Sequence, residues 1–293
     1  MAPFLYPDFV IQSIKVDETR MQTCIRVFCL LCLIGPFANT YAATPHMLAC
    51  PPITQRTNLT IQQIHDGDTV TLSNGERIRF LGINAPEINH DVPARSQPFA
   101  LEAREALTRL LDEQSISVGT DGRGVDRFGR TLGHVVNFQG VNVNQQLLLE
   151  GMARLMVIDD FDMWRCYAMA EWLAREQRIG IWSHNKAHPV MAQSIRKAHR
   201  KWIEVSGKVT HFERSSSNLW WVLDDTVWVG VELAQADSVN LPSDISVIGE
   251  QWIVRGTVHK SYGKFRMRLK HPSQVLRVEE WQHWATQVGP VVN

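Results

Sequence analysis

The sequence lacks any excess of charge: 30 Lys and Arg face 30 Asp and Glu over 293 residues. Such a balance offers no global basic field, so a phosphate-binding site must be a local cluster. The apolar run at 27–34 is too short to span a bilayer as a helix. Cysteine is scarce, with five in all, and Cys24, Cys29 and Cys32 crowd the amino-terminal stretch. Cys50 and Cys166 remain, too few for a cysteine-built zinc site. Tandem repeats and low-complexity tracts are also absent. What is present is a hydrophobic fraction of 44%, enough for packed cores and too high for wholesale disorder. The length allows one large or two ordinary domains.

Arg26 precedes the apolar run, and Gly35-Pro36 with the small residues Thr40 and Ala42 follow it. This is the layout of a secretory signal peptide. The expectation is that 1–42 is removed, that Met21 is the true start, and that the mature chain is periplasmic or secreted. An uncleaved anchor is the other reading. In an oxidising compartment Cys50 and Cys166 are candidate disulfide partners; otherwise they are two free thiols.

Beyond a Pro- and Thr-rich arm at 43–56, short β-rich runs fill 57–83. They are separated by turns at Asp66-Gly67-Asp68 and Asn74-Gly75. Proline punctuates a loop at 84–97, and 99–111 carries the apolar spacing of an amphipathic helix. Strands are expected at 115–118 and 131–138, and helices at 141–150 and 161–178, with Gly180 as a stop. Residues 185–202 read as a basic linker with Lys186, Arg196, Lys197, Arg200 and Lys201. Five further strands within 203–280, interrupted at 232–249 after the third, predict an OB-like barrel. A tail, 281–293, closes the chain.

Three islands carry chemistry. They are His65-Asp66-Gly67-Asp68-Thr69, the run from Arg77 through Arg79, Gly82, Asn84, Ala85 and Pro86 to Glu87, and Asp126-Arg127-Phe128-Gly129-Arg130. Cleaving a phosphodiester drives a hydroxide at an anion, and charge builds on the phosphorus oxygens. Rigid guanidinium forks suit those oxygens, a Glu can take the proton of the attacking water, and oxygen ligands hold a hard cation.

In order and spacing these islands resemble the staphylococcal nuclease family, over about 57–184. Pro98-Phe99, Glu102-Ala103, Val143-Asn144, Gly151-Met152-Ala153 and Gly180-Ile181-Trp182 extend the likeness. The resemblance implies a mainly β fold with α: an OB barrel with packed helices, followed here by the second OB-like β-barrel. It implies Asp68 as a calcium carboxylate and the Ala85 carbonyl as a further ligand. Arg79 and Arg130 fall at the phosphate clamps, and Glu87 at the general base. Arg127 and Phe128 are expected beside the nucleotide. The implied activity is calcium-dependent cleavage of DNA and RNA that leaves 3′-phosphate ends. Two positions depart. Asn84 stands where the family's prototype has a second calcium-binding Asp, so weaker calcium binding is expected. Val157 and Asp159 stand where it has tyrosines, so base stacking must differ.

The carboxy-terminal barrel has Trp220, Trp221, Trp228 and Trp252, either as core or as base-stacking surface. Tyr262, Lys264, Arg266, Arg268 and Lys270 alternate along one strand, either to track a phosphate backbone or to guard a sheet edge. The run His271-Pro272-Ser273-Gln274 resembles one in some bacterial nuclease homologues. Two other functions compete with the nuclease: a non-catalytic nucleic-acid-binding protein of the same fold, and a protein-interaction module built on the tryptophan-rich barrel.

Overall fold

The computed structural model describes residues 50–51, 55–111, 115–121, 124–157, 161–184 and 188–288. The expected signal peptide, most of the 43–56 arm, Asp159 and Lys186 lie outside the described residues. No described helix is long and apolar enough to cross a membrane.

The first domain uses strands β1 (Gln55–Leu59), β2 (Ile61–Ile64), β3 (Thr69–Leu72), β4 (Arg77–Phe80), β5 (Ile83–Asn84), β6 (Ile116–Gly119), β7 (Thr131–Val136) and β8 (Arg154–Leu155). Six of these form a sheet in the order β1-β6-β7-β4-β3-β2. Only Thr60 separates β1 from β2, which sit at opposite ends of that order, so one bent strand closes the sheet into a barrel. Helices α1 (Ala100–Leu111), α2 (Val143–Leu149) and α3 (Trp164–Glu176) pack on it. Val70, Ile78, Leu107, Val135, Leu147 and Tyr167 are fully buried in the shared core. Asn142 caps α2 by accepting from the Gln145 N–H, which is why that helix starts where it does. In the structure Cys50 and Cys166 form a disulfide, with Cα atoms 5.6 Å apart across 116 residues of sequence. By loop-closure entropy such a link stabilises the fold by roughly 4–5 kcal/mol.

The second domain contains β9 (Val190–Met191), β10 (His199–Arg214), β11 (Asn218–Leu223), β12 (Val227–Glu232), the short helix α4 (Ala236–Val239), β13 (Gln251–Ser261), β14 (Lys264–Arg268) and β15 (Val275–Arg277). Its barrel runs β10-β11-β12-β14-β13 and closes where β13 pairs with β10. The first barrel has the same order, with the same single parallel pair: β4 with β7 there, β12 with β14 here. The chain therefore repeats an architecture without repeating a sequence.

Three expectations are corrected here. Of the expected linker at 185–202, residues 188–202 are part of the second domain, because β9 pairs with β10 and Ala192 and Ile195 are buried in the second core. The expected tail at 281–293 is helical over its described part, 281–288. Helix α5 (Val278–Val288) crosses back, and Trp281 lies 6.2 Å, centroid to centroid, from Trp172 of α3. Third, β14 lies between β12 and β13, so its basic residues do not guard an edge. Trp221 and Trp252 fill the core, whereas Lys264, Arg266 and Arg268 stack over Trp228 and Trp220 on the opposite face.

The two domains are joined through buried charge. Glu171 of α3, fully buried, accepts from the guanidinium of Arg255 on β13 and from the Leu155 N–H on β8. Glu204 of β10 pairs with Arg175, Arg255 and Arg154. Burial alone would raise the Glu204 carboxyl; the three guanidiniums, Arg175 foremost, outweigh it and hold it down at about 2. The His271-Pro272-Ser273-Gln274 run forms a capped turn at this junction. Its Gln274 Nε2 donates to the Arg255 carbonyl, and the His271 ring meets Trp164 of α3 edge-on.

His134 on β7 supplies a pH test of the first core. Its Nδ1 lies 2.8 Å from the Tyr167 hydroxyl, and burial pushes its pKa down to about 4 from 6.5, against a weaker pull from Asp121. Between those values the unfolded chain binds one proton more than the folded one. Stability should therefore fall as pH drops from 6.5 towards 4, by about 3 kcal/mol, and be fully retained above 6.5. Urea unfolding of the wild type and of His134→Gln at pH 7 and pH 4.5 measures this share. The variant should lose less stability on acidification, and parallel losses would refute the assignment.

Candidate active site

Strand register brings the three islands together. In the antiparallel β3–β4 pair Thr69 faces Arg79, and the Phe80 N–H donates to the Asp68 carbonyl, so Asp68 sits at the root of Arg79. In the parallel β4–β7 pair Ile78 faces Thr131 and Arg79 faces Leu132, which lays Arg130 at the mouth of the neighbouring strand. Strand β5 carries Asn84 past them, pinned to Arg154 of β8. The Asp-Gly-Asp turn needs its glycine for space. A Cβ at Gly67 would come within 2.7 Å of the Cβ atoms of Ala85 and of Ala103 on α1.

A cleft of about 480 Å³ is lined by Arg79, Asn84, Glu87, Arg127, Phe128 and Arg130, with Gly82, Leu132 and Met156 at its base. Asp68 and Ala85 do not line it; both are buried directly behind. Asp68 is 1% exposed. Its Oδ2 accepts from the Ala85 N–H at 2.6 Å and meets Arg79 Nη2 at 3.0 Å, and its Oδ1 accepts from the Thr69 hydroxyl at 3.0 Å. Burial pushes the Asp68 carboxyl up to about 7, while Arg79 pulls it the other way.

Arg79 is held from four sides. Its Nη1 donates to the carbonyls of Phe80 and Ile83, each at 2.9 Å, and its Nη2 also donates to Asn84 Oδ1 at 3.0 Å. One guanidinium nitrogen thus bridges the two side chains expected as cation ligands. Two oxygen donors converging on a positive group suit a hard cation in kind. They bring only one formal negative charge. No group of three His, Cys, Asp or Glu able to hold a metal occurs among the described residues.

Arg130 is aimed by Asp126, a motif residue whose role the sequence left unassigned. Asp126 Oδ1 accepts from the N–H groups of Phe128 and Arg130, at 2.8 and 3.0 Å. Its Oδ2 accepts from Arg130 Nε at 2.7 Å. Gly129 closes the turn with a φ of +76°, which favours glycine. Phe128 is 66% exposed at the cleft mouth, with the guanidinium of Arg127 4.7 Å from its ring centre. Glu87 is exposed, and its carbonyl accepts from Gln97 N–H. A fixed acid, two fixed guanidiniums and an open carboxylate share one cleft; such a set can bind a phosphodiester and move a proton beside it.

Residues 77–184 match the model of the staphylococcal nuclease homologue family. Among curated proteins the chain is 30% identical over 139 residues to the succinoglycan biosynthesis protein ExoI of Rhizobium meliloti (strain 1021), covering 46% of this chain and 70% of that protein. The chain belongs to the staphylococcal nuclease family. It is 28% identical over 128 residues to thermonuclease of Staphylococcus intermedius, covering 42% of this chain and 74% of that enzyme. It is 29% identical over 139 residues to endonuclease YhcR of Bacillus subtilis (strain 168), covering 43% of this chain but only 11% of that protein. The family match begins at Arg77, so Asp68 and its turn join the site through strand pairing rather than through the matched segment.

Asp126→Ala should untie Arg130 while leaving the core intact. The rate of phosphodiester cleavage should fall about tenfold to a hundredfold, the scale of a misplaced catalytic group, with little change in Tm. A rate within twofold of wild type would remove Asp126 from the positioning role.

Proposed function

We propose that this family member is an exported, calcium-dependent endonuclease that hydrolyses DNA, RNA or both with low sequence specificity and leaves 3′-phosphate ends. The observation that carries the reading is the convergence of Arg79, Glu87 and Arg130 on one cleft, from two separate stretches of sequence. The names of the relatives, thermonuclease and endonuclease, support it.

In this reading Arg130, oriented by Asp126, grips a non-bridging phosphate oxygen and neutralises charge that grows there as water attacks. Arg79 adds positive charge to the same cleft from the neighbouring strand, its four Nη hydrogens engaged by Phe80, Ile83, Asn84 and Asp68. Glu87 takes the proton of the attacking water; its exposure at the cleft lets it exchange that proton with solvent. Asp68 and Asn84, with the Ala85 carbonyl, are the residues that would hold calcium. When bound, the cation would polarise the phosphate and offset its charge. The disulfide and the amino-terminal signal layout are what favour export.

A plasmid-degradation assay tests the reading. Cleavage should occur with calcium and stop with a chelator. Glu87→Gln should lower it at least a hundredfold, the usual contribution of a general base. Cleavage undiminished by chelator would remove the calcium clause, and an undiminished Glu87→Gln the base. Restoring a carboxylate with Asn84→Asp should lower the calcium concentration for half-maximal rate by roughly an order of magnitude, because ligand charge sets calcium affinity. An unchanged calcium dependence would exclude Asn84 from the cation site.

A further inference from the structure

The cleft of the first domain adjoins a second cavity. Asn84 and Met156 also line a second cavity of about 240 Å³, whose far wall is His188, Val190, Trp202, Ile203 and Glu204 of the second domain. Two residues are thus common to both cavities.

The aromatics around the site point the same way. Val157, at a position where the resemblance places a tyrosine beside the nucleotide, is 6% exposed and sits in the core. It presents no ring to a base. Two open aromatic surfaces flank the cleft instead. Phe128 stands on the first-domain side, and Trp202, 44% exposed, stands across the junction on β10. Beside Trp202 are apolar Val190, 38% exposed, and Met156, with the Arg154 guanidinium on the first-domain wall. An indole with an apolar floor matches a nucleobase, on which its ring can stack. The wall is rigid, because Glu204 and Arg255 in the same cavity are fixed by the buried ion network.

We infer that this junction cavity is a substrate subsite, in which Trp202 stacks the base of a nucleotide flanking the scissile phosphodiester in a single-stranded stretch. The second domain would then complete the substrate path rather than merely follow the first. The inference rests on the nuclease reading above and names the part of the strand that the second domain holds.

The test is a cycle of kinetics and binding on a single-stranded DNA oligonucleotide with calcium. It uses wild type, Trp202→Ala and Trp202→Phe, with an abasic nucleotide walked along the strand. Trp202→Ala should raise KM about fivefold or more, as expected for one lost base stack, with kcat little changed. Trp202→Phe should recover most of the loss. One abasic position should weaken wild type to a similar degree and add nothing in Trp202→Ala. Unchanged KM in Trp202→Ala, or equal abasic penalties in wild type and variant at every position, would overturn the subsite. If wild type binds the oligonucleotide but does not cleave it, the nuclease reading fails. Anisotropy titrations through the same cycle then decide the subsite separately: coupling at one position supports it, and none overturns it.

Discussion

The site depends on one buried ion pair. Asp68 is almost wholly removed from water, and a carboxylate there is costly unless a cation and hydrogen-bond donors meet it. Arg79 is that cation, 3.0 Å away, and the Ala85 N–H and Thr69 hydroxyl complete the set. Because Arg79 answers to Asp68 and also to Asn84, Phe80 and Ile83, one side chain fixes the relation of β3, β4 and β5. The parallel pairing of β4 with β7 then carries Arg130 to the same cleft. The pair that keeps the barrel wall satisfied is therefore the pair that places Arg79 at the cleft. In the proposed reading a cation held by Asp68 and Asn84 would share them with a guanidinium already bonded to both.

The same economy of charge joins the domains. Glu171 takes the Leu155 N–H with one oxygen and Arg255 with the other. Leu155 lies on β8, the strand that pins Asn84. A continuous set of contacts thus runs from the second barrel, through α3, to the edge of the candidate active site. Arg154 and Arg175 extend it over the face of Trp182, 4.3 and 3.7 Å from the ring centre. Such a buried network disfavours independent movement of the two barrels, since separating them would strand fully desolvated charges.

Much of this was legible in the sequence. Period-two runs, the Asn74-Gly75 turn and the glycine stops gave the strands and helices of the first barrel, because its elements obey local rules. Three short islands, whose spacing resembles a family's, point to the site residues. The sequence did not disclose which partner each side chain would find. That Asp126 would spend its carboxylate on Arg130, or that one Arg79 nitrogen would bridge Asp68 and Asn84, follows from register, which is a long-range property. The sequence reads 185–202 as a linker because its charge conceals two apolar anchors, Ala192 and Ile195. The sequence places Trp281 in a tail because its partner, Trp172, lies over a hundred positions earlier. The repeated barrel topology left no trace in residue identity, since the same strand order can be filled by unrelated cores.

The most direct test of this account is a double-mutant cycle on folding stability with Asp68→Ala, Arg79→Ala and the combined variant, measured by urea unfolding of the full chain. A buried carboxylate left without its guanidinium should make Arg79→Ala strongly destabilising, and much of that loss should vanish when Asp68 is removed as well. The predicted coupling is about 2 kcal/mol or more. Effects that add to within about 0.5 kcal/mol would contradict the claim that this pair assembles the site.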